Sequence, residues 1–261
     1  MTVHYERAGS VVVATIDRPE VHNALDAATL ASLRTAYERF DADDDASVLV
    51  ITGAGNRSFC AGADLNAIAA GWTPQPDEWP VLGVNVTLAK PVIAAVNGDA
   101  FGGGFLLAQS CDLCVASRGA RFGITEARWG RGVDWAAPLP RMIPARLAME
   151  LLLTAQPVGA ERAYEMGLVN RVCEPERVLS DAIELAETIA ANAPMTVRAA
   201  KKLVYRSLLP DAPTLRAAAG GLFESVYTSA AAAEGPRAFA ERRAPRWSPD
   251  TTSSPSQGDM G

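Results

Sequence analysis

Four short apolar runs, rich in β-branched residues and crowded into the first half of the chain, constrain its fold more than any other feature: VVVATID (11–17), SVLVITG (47–53), PVIAAVN (91–97) and CDLCVAS (111–117). Runs of this length and composition predict strands. Between the first two lies LDAATLASLRTAYERFDA (25–42), whose Leu25, Leu30, Leu33, Tyr37 and Phe40 keep helical spacing. From about Pro140 the pattern turns helical, through RLAMELLLTA, GAERAYEMG, ERVLSDAIELAETIAANA, TVRAAKKLVYRSLL and a last run ending near Arg243. The order predicts an α/β fold with ββα-like alternation, in which the strands build one layer and the later helices cover it or reach a partner chain.

Composition narrows the partners. At 261 residues and 49% hydrophobic, the chain can bury a sizeable core, as one large α/β unit or two small domains. Its formal charge of -6 argues against nucleic acid or an anionic membrane as the main partner. Cys60, Cys111, Cys114 and Cys173 are too few for a disulfide scaffold. Cys111 and Cys114 form a C-x-x-C inside an apolar run with no second pair, so they are read as buried thiols, with no metal expected. MTVHYERAGS lacks a basic segment followed by an apolar one, and the most apolar stretch, 91–109, is broken by Pro91, Asn97, Gly98, Asp99 and the glycines 102–104. Neither a signal peptide nor a membrane span is expected, and the protein reads as cytoplasmic. The end, RWSPDTTSSPSQGDMG (246–261), is predicted to be disordered. The loop AGWTPQPDEWPVLG (70–83), with three prolines and two tryptophans, is either a lid or pocket wall or an ordinary surface loop.

Two stretches ask why a chain leaving a strand carries so little side chain. FCAGADL (59–65) follows VLVITGAG and sets Ala-Gly-Ala directly before a carboxylate. In PVIAAVNGDAFGGGFLLA (91–108) a strand runs into Gly98, then three glycines, then an apolar segment that can continue as a helix. Glycine lets a backbone approach another group closely, and a helix start leaves N–H donors unpaired with a partial positive charge. The pattern fits an anion pocket or tight strand–helix packing. A G-x-G-x-x-G loop would need glycine at Ala100, and a Walker loop would need Lys and Ser or Thr where Phe105 and Leu106 stand.

Together with RFGITEARWG, RPEVHNALD (18–26) and LTAQPVGAERAYEMGLVNRV (153–172), these stretches resemble the enoyl-CoA hydratase/isomerase family, the crotonase superfamily, in order and separation over roughly residues 3–245. The resemblance implies a crotonase-like spiral of ββα units over 1–193 and a helical C-terminal trimerisation region over 194–245. It also implies assembly as a homotrimer or hexamer and an acyl-CoA thioester as substrate, so that coenzyme A arrives with the substrate and no separate cofactor is needed. Two backbone N–H groups, mapping onto Ala63 and Gly103, would point at the thioester carbonyl, because an enolate forming there needs preorganised donors at about 3 Å. Along the substrate the resemblance places His22, Ala24, Ala61, Asp64, Leu65, Gly102 and Leu106. Asp64 also reads as an N-terminal cap of the helix DLNAIAA, and His22 as a residue used through its backbone rather than its imidazole.

Hydratases of this family carry two glutamates. The one in the segment matching FGITE is present as Glu126, the expected proton-transfer base. The other position, two residues past the last glycine of the triplet, is Leu106. Adding water across a double bond calls for two proton-handling groups, whereas a 3-to-2 double-bond shift needs one, so this pattern resembles the family's Δ3-Δ2 enoyl-CoA isomerases. Asp134, in WGRGVDWAAPL, reads as a supplementary acid or water ligand, or as a turn cap. Dehalogenation is disfavoured because the segment leading directly into KPVIAAVNG has no histidine, which that chemistry also uses. The alternatives are a hydratase using Glu126 with Asp134, or a non-catalytic acyl-CoA-binding member, which Leu106 favours and Glu126 opposes.

Overall fold

The computed structural model describes residues 2–208 and 230–243. The predicted tail at 246–261 therefore lies outside the described residues, as does part of 194–245. A six-stranded sheet is built from β1 (Val3–Ala8), β2 (Val11–Ile16), β3 (Val48–Gly53), β5 (Val92–Val96), β7 (Leu113–Ser117) and β10 (Arg171–Cys173), in that order across the sheet. β1 and β2 pair antiparallel, and every later neighbour is parallel. A second sheet holds β4 (Ser58–Cys60), β6 (Asp99–Phe101), β8 (Arg121–Gly123) and β9 (Val158–Gly159).

Strand after strand, the chain visits the large sheet and then the small one: β3 then β4, β5 then β6, β7 then β8. Helices close the first two turns, α2 (Leu65–Ala69) after β4 and α3 (Gly103–Ser110) after β6. This is the spiral of ββα units. β3 and β5 are buried along their whole length, as strands covered on both faces must be. One face of the large sheet, with Val48, Val50, Ile93, Ala95 and Val115, packs on Val178, Ala182 and Ala186 of α7 (Val178–Ala190). The other face joins the main core with Leu30, Leu33, Tyr37 and Phe40 of α1 (Ala27–Ala42). The period of two along each strand thus sends alternate side chains into two separate cores.

Among the described residues the later helices are α4 (Leu139–Met142), α5 (Ala145–Thr154), α6 (Ala160–Met166), α7, α8 (Pro194–Leu208) and α9 (Ala230–Ala240). α9 packs on α2 and on the short 3-10 helix Glu126–Trp129 of its own chain. Trp129 and Phe239 meet there edge to face, with ring centroids 5.6 Å apart. α8 is tied to the core by Lys201, which pairs with Asp112 at 2.8 Å and donates to the Lys90 carbonyl at 2.9 Å. Cys111 and Cys114 are both buried, and burial pushes the Cys114 thiol up to about 12, which makes it an inert core group.

Candidate active site

The two glycine-rich turns touch main chain to main chain. Gly62 has φ +92°. A Cβ there would stand 2.8 Å from the Phe101 carbonyl oxygen and 2.9 Å from the Gly103 nitrogen. At Gly104 a Cβ would run into the Cys60 carbonyl. Small residues fill these stretches because two backbones occupy the room that side chains would need.

That contact leaves two donors open. Ala63 faces Leu25 in an isolated parallel bridge, with the Leu25 N–H donating to Gly62 O at 2.7 Å and the Asp64 N–H to Leu25 O at 2.9 Å. These bonds use the groups on either side of Ala63, so its own N–H points away from the bridge. Among the described residues that N–H has no acceptor. Gly103 is the first residue of α3, where an N–H lacks an intrahelical partner and meets the positive end of the helix dipole.

Side chains around the first turn hold it in place. Asp64 caps α2, accepting from the Asn66 N–H at 3.0 Å and the Ala67 N–H at 3.3 Å. Its other oxygen accepts from Arg18 at 3.0 Å, and the same guanidinium reaches Asp26 at 3.1 Å and the Ala24 carbonyl at 2.6 Å. The His22 carbonyl accepts from the Ala61 N–H at 3.1 Å, while its Nδ1 lies 3.3 Å from the Ser58 hydroxyl. Leu65 opens α2 and is partly exposed. Asn23, fully buried with φ +56°, donates to Ala54 O and Ser58 O at 3.0 and 2.8 Å. Asn97 ties the ends of β3 and β5 together, donating to the carbonyls of Gly53 and Gly55 at 2.8 Å each.

β8 brings the carboxylate. It pairs with β6 through Ala100↔Phe122 and Phe101↔Gly123, and the Gly102 N–H donates to Gly123 O at 2.9 Å. Three residues on, Glu126 lies over the glycine triplet: a Cβ on Gly102 would be 2.8 Å from Glu126 Oε1. Glu126 Oε2 is buried with no hydrogen-bond partner. Burial raises the Glu126 pKa from its ordinary value to about 7, against the opposing pull of its own and the Thr125 backbone N–H, the Trp135 indole N–H and the Arg131 charge. Arg121 does not neutralise it, because that guanidinium grips Asp99 through bonds of 2.9 and 2.6 Å.

Leu106 and Asp134 differ in how closely they approach these groups. Leu106, only 5% exposed, stands one turn into α3 and donates its N–H to Gly102 O at 3.0 Å. With Leu25, Leu33, Leu107, Trp79 and Gly103 it walls an apolar pocket. Asp134 is buried at the start of the 3-10 helix Asp134–Ala136, next to Trp135, whose ring centroid is 6.1 Å from that of Phe105. Arg18, Asn23 and Asn97 were not singled out as site residues by the sequence, whereas Trp79 belongs to the loop read there as a lid, a pocket wall or ordinary surface. The signal for the first two was their place in RPEVHNALD, and for Asn97 its position between a strand and a glycine.

Two open backbone donors beside a buried carboxylate whose pKa is raised by desolvation can stabilise a negative oxygen while moving a proton at an adjacent carbon. A family model described as enoyl-CoA hydratase/isomerase matches residues 6–250. A carnitinyl-CoA dehydratase of Escherichia coli K12 is 39% identical, over 94% of this chain and 98% of its own. A carnitinyl-CoA hydratase structure from Mycobacterium avium is 38% identical with a TM-score of 0.86, covering 94% of this chain and 98% of that one. An enoyl-CoA hydratase structure from Mycobacterium tuberculosis H37Rv is 41% identical with a TM-score of 0.73, covering 95% and 98%. The spiral of ββα units is the fold these structures share with it, and the chain belongs to the enoyl-CoA hydratase/isomerase family of the crotonase superfamily.

Proposed function

We propose that this acyl-CoA enzyme uses Glu126 as a single proton-transfer base and favours Δ3-Δ2 isomerisation of an enoyl-CoA thioester. The observation that carries the reading is the Glu126 carboxylate against Gly102, next to the Gly103 N–H, while Leu106 supplies hydrocarbon to the apolar pocket on Gly103. Glu126 takes a proton from C2 of the thioester, and the charge moves to the carbonyl oxygen. The Ala63 and Gly103 N–H groups hold that oxygen, a contribution of roughly 3 kcal/mol per donor in comparable sites. The protonated Glu126 then returns the proton at C4, leaving the double bond conjugated with the carbonyl. A base with a pKa of about 7 serves both steps, since it neither binds the proton too tightly nor releases it too readily. His22, Ala24, Ala61 and Leu65 would follow the CoA portion, and Gly102 and Leu106 the acyl portion, with coenzyme A carried in by the substrate.

A second reading is hydration or dehydration, with Asp134 joining Glu126. It is favoured by the names of the relatives and by the burial of Asp134 beside Trp135. Expelling a hydroxyl from C3 requires a proton donor that Leu106 cannot supply, so Asp134 would have to provide it. Ultraviolet absorbance separates the two. Wild type should convert a 3-enoyl-CoA to its conjugated isomer faster than it hydrates crotonyl-CoA, and the reverse order would establish the second reading.

A further inference from the structure

We propose that Trp79 is a plug in the acyl pocket: its indole occupies the space where the acyl chain of a thioester would lie, and a long chain binds only by displacing it. A Cβ on Gly103 would collide with the six-membered ring of the indole, so the ring rests directly on the glycine turn. It shares that space with Leu25, Leu33, Leu106 and Leu107. With the ring in place, the remaining cavity is about 10 Å³, room for one water and not for a hydrocarbon chain.

The ring is held by its loop rather than locked in the core. Trp79 is only partly buried, which leaves a way out toward solvent. Asn85 clips the backbone behind it: Nδ2 donates to the Trp79 carbonyl at 2.8 Å and the Asp77 carbonyl at 3.3 Å, and Oδ1 accepts from the Val81 N–H at 2.9 Å. Arg34 of α1 donates to Asp77 O at 2.6 Å and ties the clip to the main body. The loop thus presents one large side chain to the spot that an acyl chain must enter. A chain that displaces the indole restores the buried apolar area, while coenzyme A without an acyl group meets no plug.

This inference rests on reading the site as a thioester pocket, and its test keeps the two apart. Binding of octanoyl-CoA and of free CoA, neither of which reacts, is measured by calorimetry for wild type, Trp79→Ala and Asn85→Ala. If the pocket is open about a tenth of the time, removing the plug tightens octanoyl-CoA about tenfold and leaves free CoA unchanged. Asn85→Ala, which keeps the pocket's own residues, should shift octanoyl-CoA in the same direction and guards against a misfolded Trp79→Ala. Unchanged octanoyl-CoA affinity in both folded variants, or equal tightening of free CoA, overturns the plug alone. Failure of wild type and variants to bind any CoA species overturns the thioester reading and the plug with it.

Discussion

Glu126 is buried at a cost in stability. A carboxylate with one oxygen buried and unpaired loses solvation when ionised, so it holds its proton up to a pKa of about 7. Between its ordinary pKa near 4.5 and about 7 the native state keeps a proton that the unfolded chain has released, so stability falls as pH rises across that window and levels off above it. A shift of this size corresponds to about 3 kcal/mol. Glu126→Gln should remove that part of the pH dependence and leave the variant more stable than wild type above pH about 7, read by urea unfolding at several pH values and fixed protein concentration. Parallel pH profiles for the two proteins would contradict the buried, unpaired carboxylate. Leu106→Glu restores the second carboxylate and should raise crotonyl-CoA hydration relative to 3-enoyl isomerisation. An unchanged ratio in a folded Leu106→Glu protein would show that position 106 does not choose the reaction.

Elements were legible where their pattern was long. VVVATID, SVLVITG, PVIAAVN and CDLCVAS correspond to β2, β3, β5 and β7, and the spacing of Leu30, Leu33, Tyr37 and Phe40 to the buried stripe of α1. β4, β6, β8 and β9 went unread, because two or three residues hold no period, and these strands exist only through pairing with distant neighbours. β1 was missed because VHYERA has one buried residue and reads as a polar edge. The small sheet matters most for the site, since β4, β6 and β8 deliver Ala63, Gly103 and Glu126. The sequence pointed to those residues through glycine chemistry and family likeness, not through the elements that carry them. Gly62→Ala tests this junction. It forces a non-glycine residue to φ +92° and crowds the Gly103 nitrogen, at a cost of about 1–3 kcal/mol. Melting temperature should fall, and turnover at 25 °C, where the protein is still folded, should fall as well. Wild-type turnover in a folded Gly62→Ala protein would mean the two turns need not touch.

At the scale of the whole molecule, apolar side chains on the later helices lack cover in a single chain. Leu153 on α5 is 75% exposed, Met195 on α8 is 84% and Leu203 is 68%. Such surfaces favour association, so the full-length protein should run as a trimer or hexamer in light scattering. A folded monomer at micromolar concentration would contradict that. α9 adds cover from within the chain: it lies across α2 and the 3-10 helix of Glu126, so the C-terminal region also walls the candidate site. The central claim, that one buried glutamate beside two backbone donors does the proton transfer, is tested most directly by turnover of a 3-enoyl-CoA in wild type, Glu126→Gln and Asp134→Asn. Glu126→Gln should retain thioester binding and lose roughly 10²- to 10⁴-fold in rate, as removal of a general acid–base does, while Asp134→Asn keeps most of the activity. Loss of turnover in Asp134→Asn with activity intact in Glu126→Gln would contradict the account and make Asp134 the principal catalytic carboxylate.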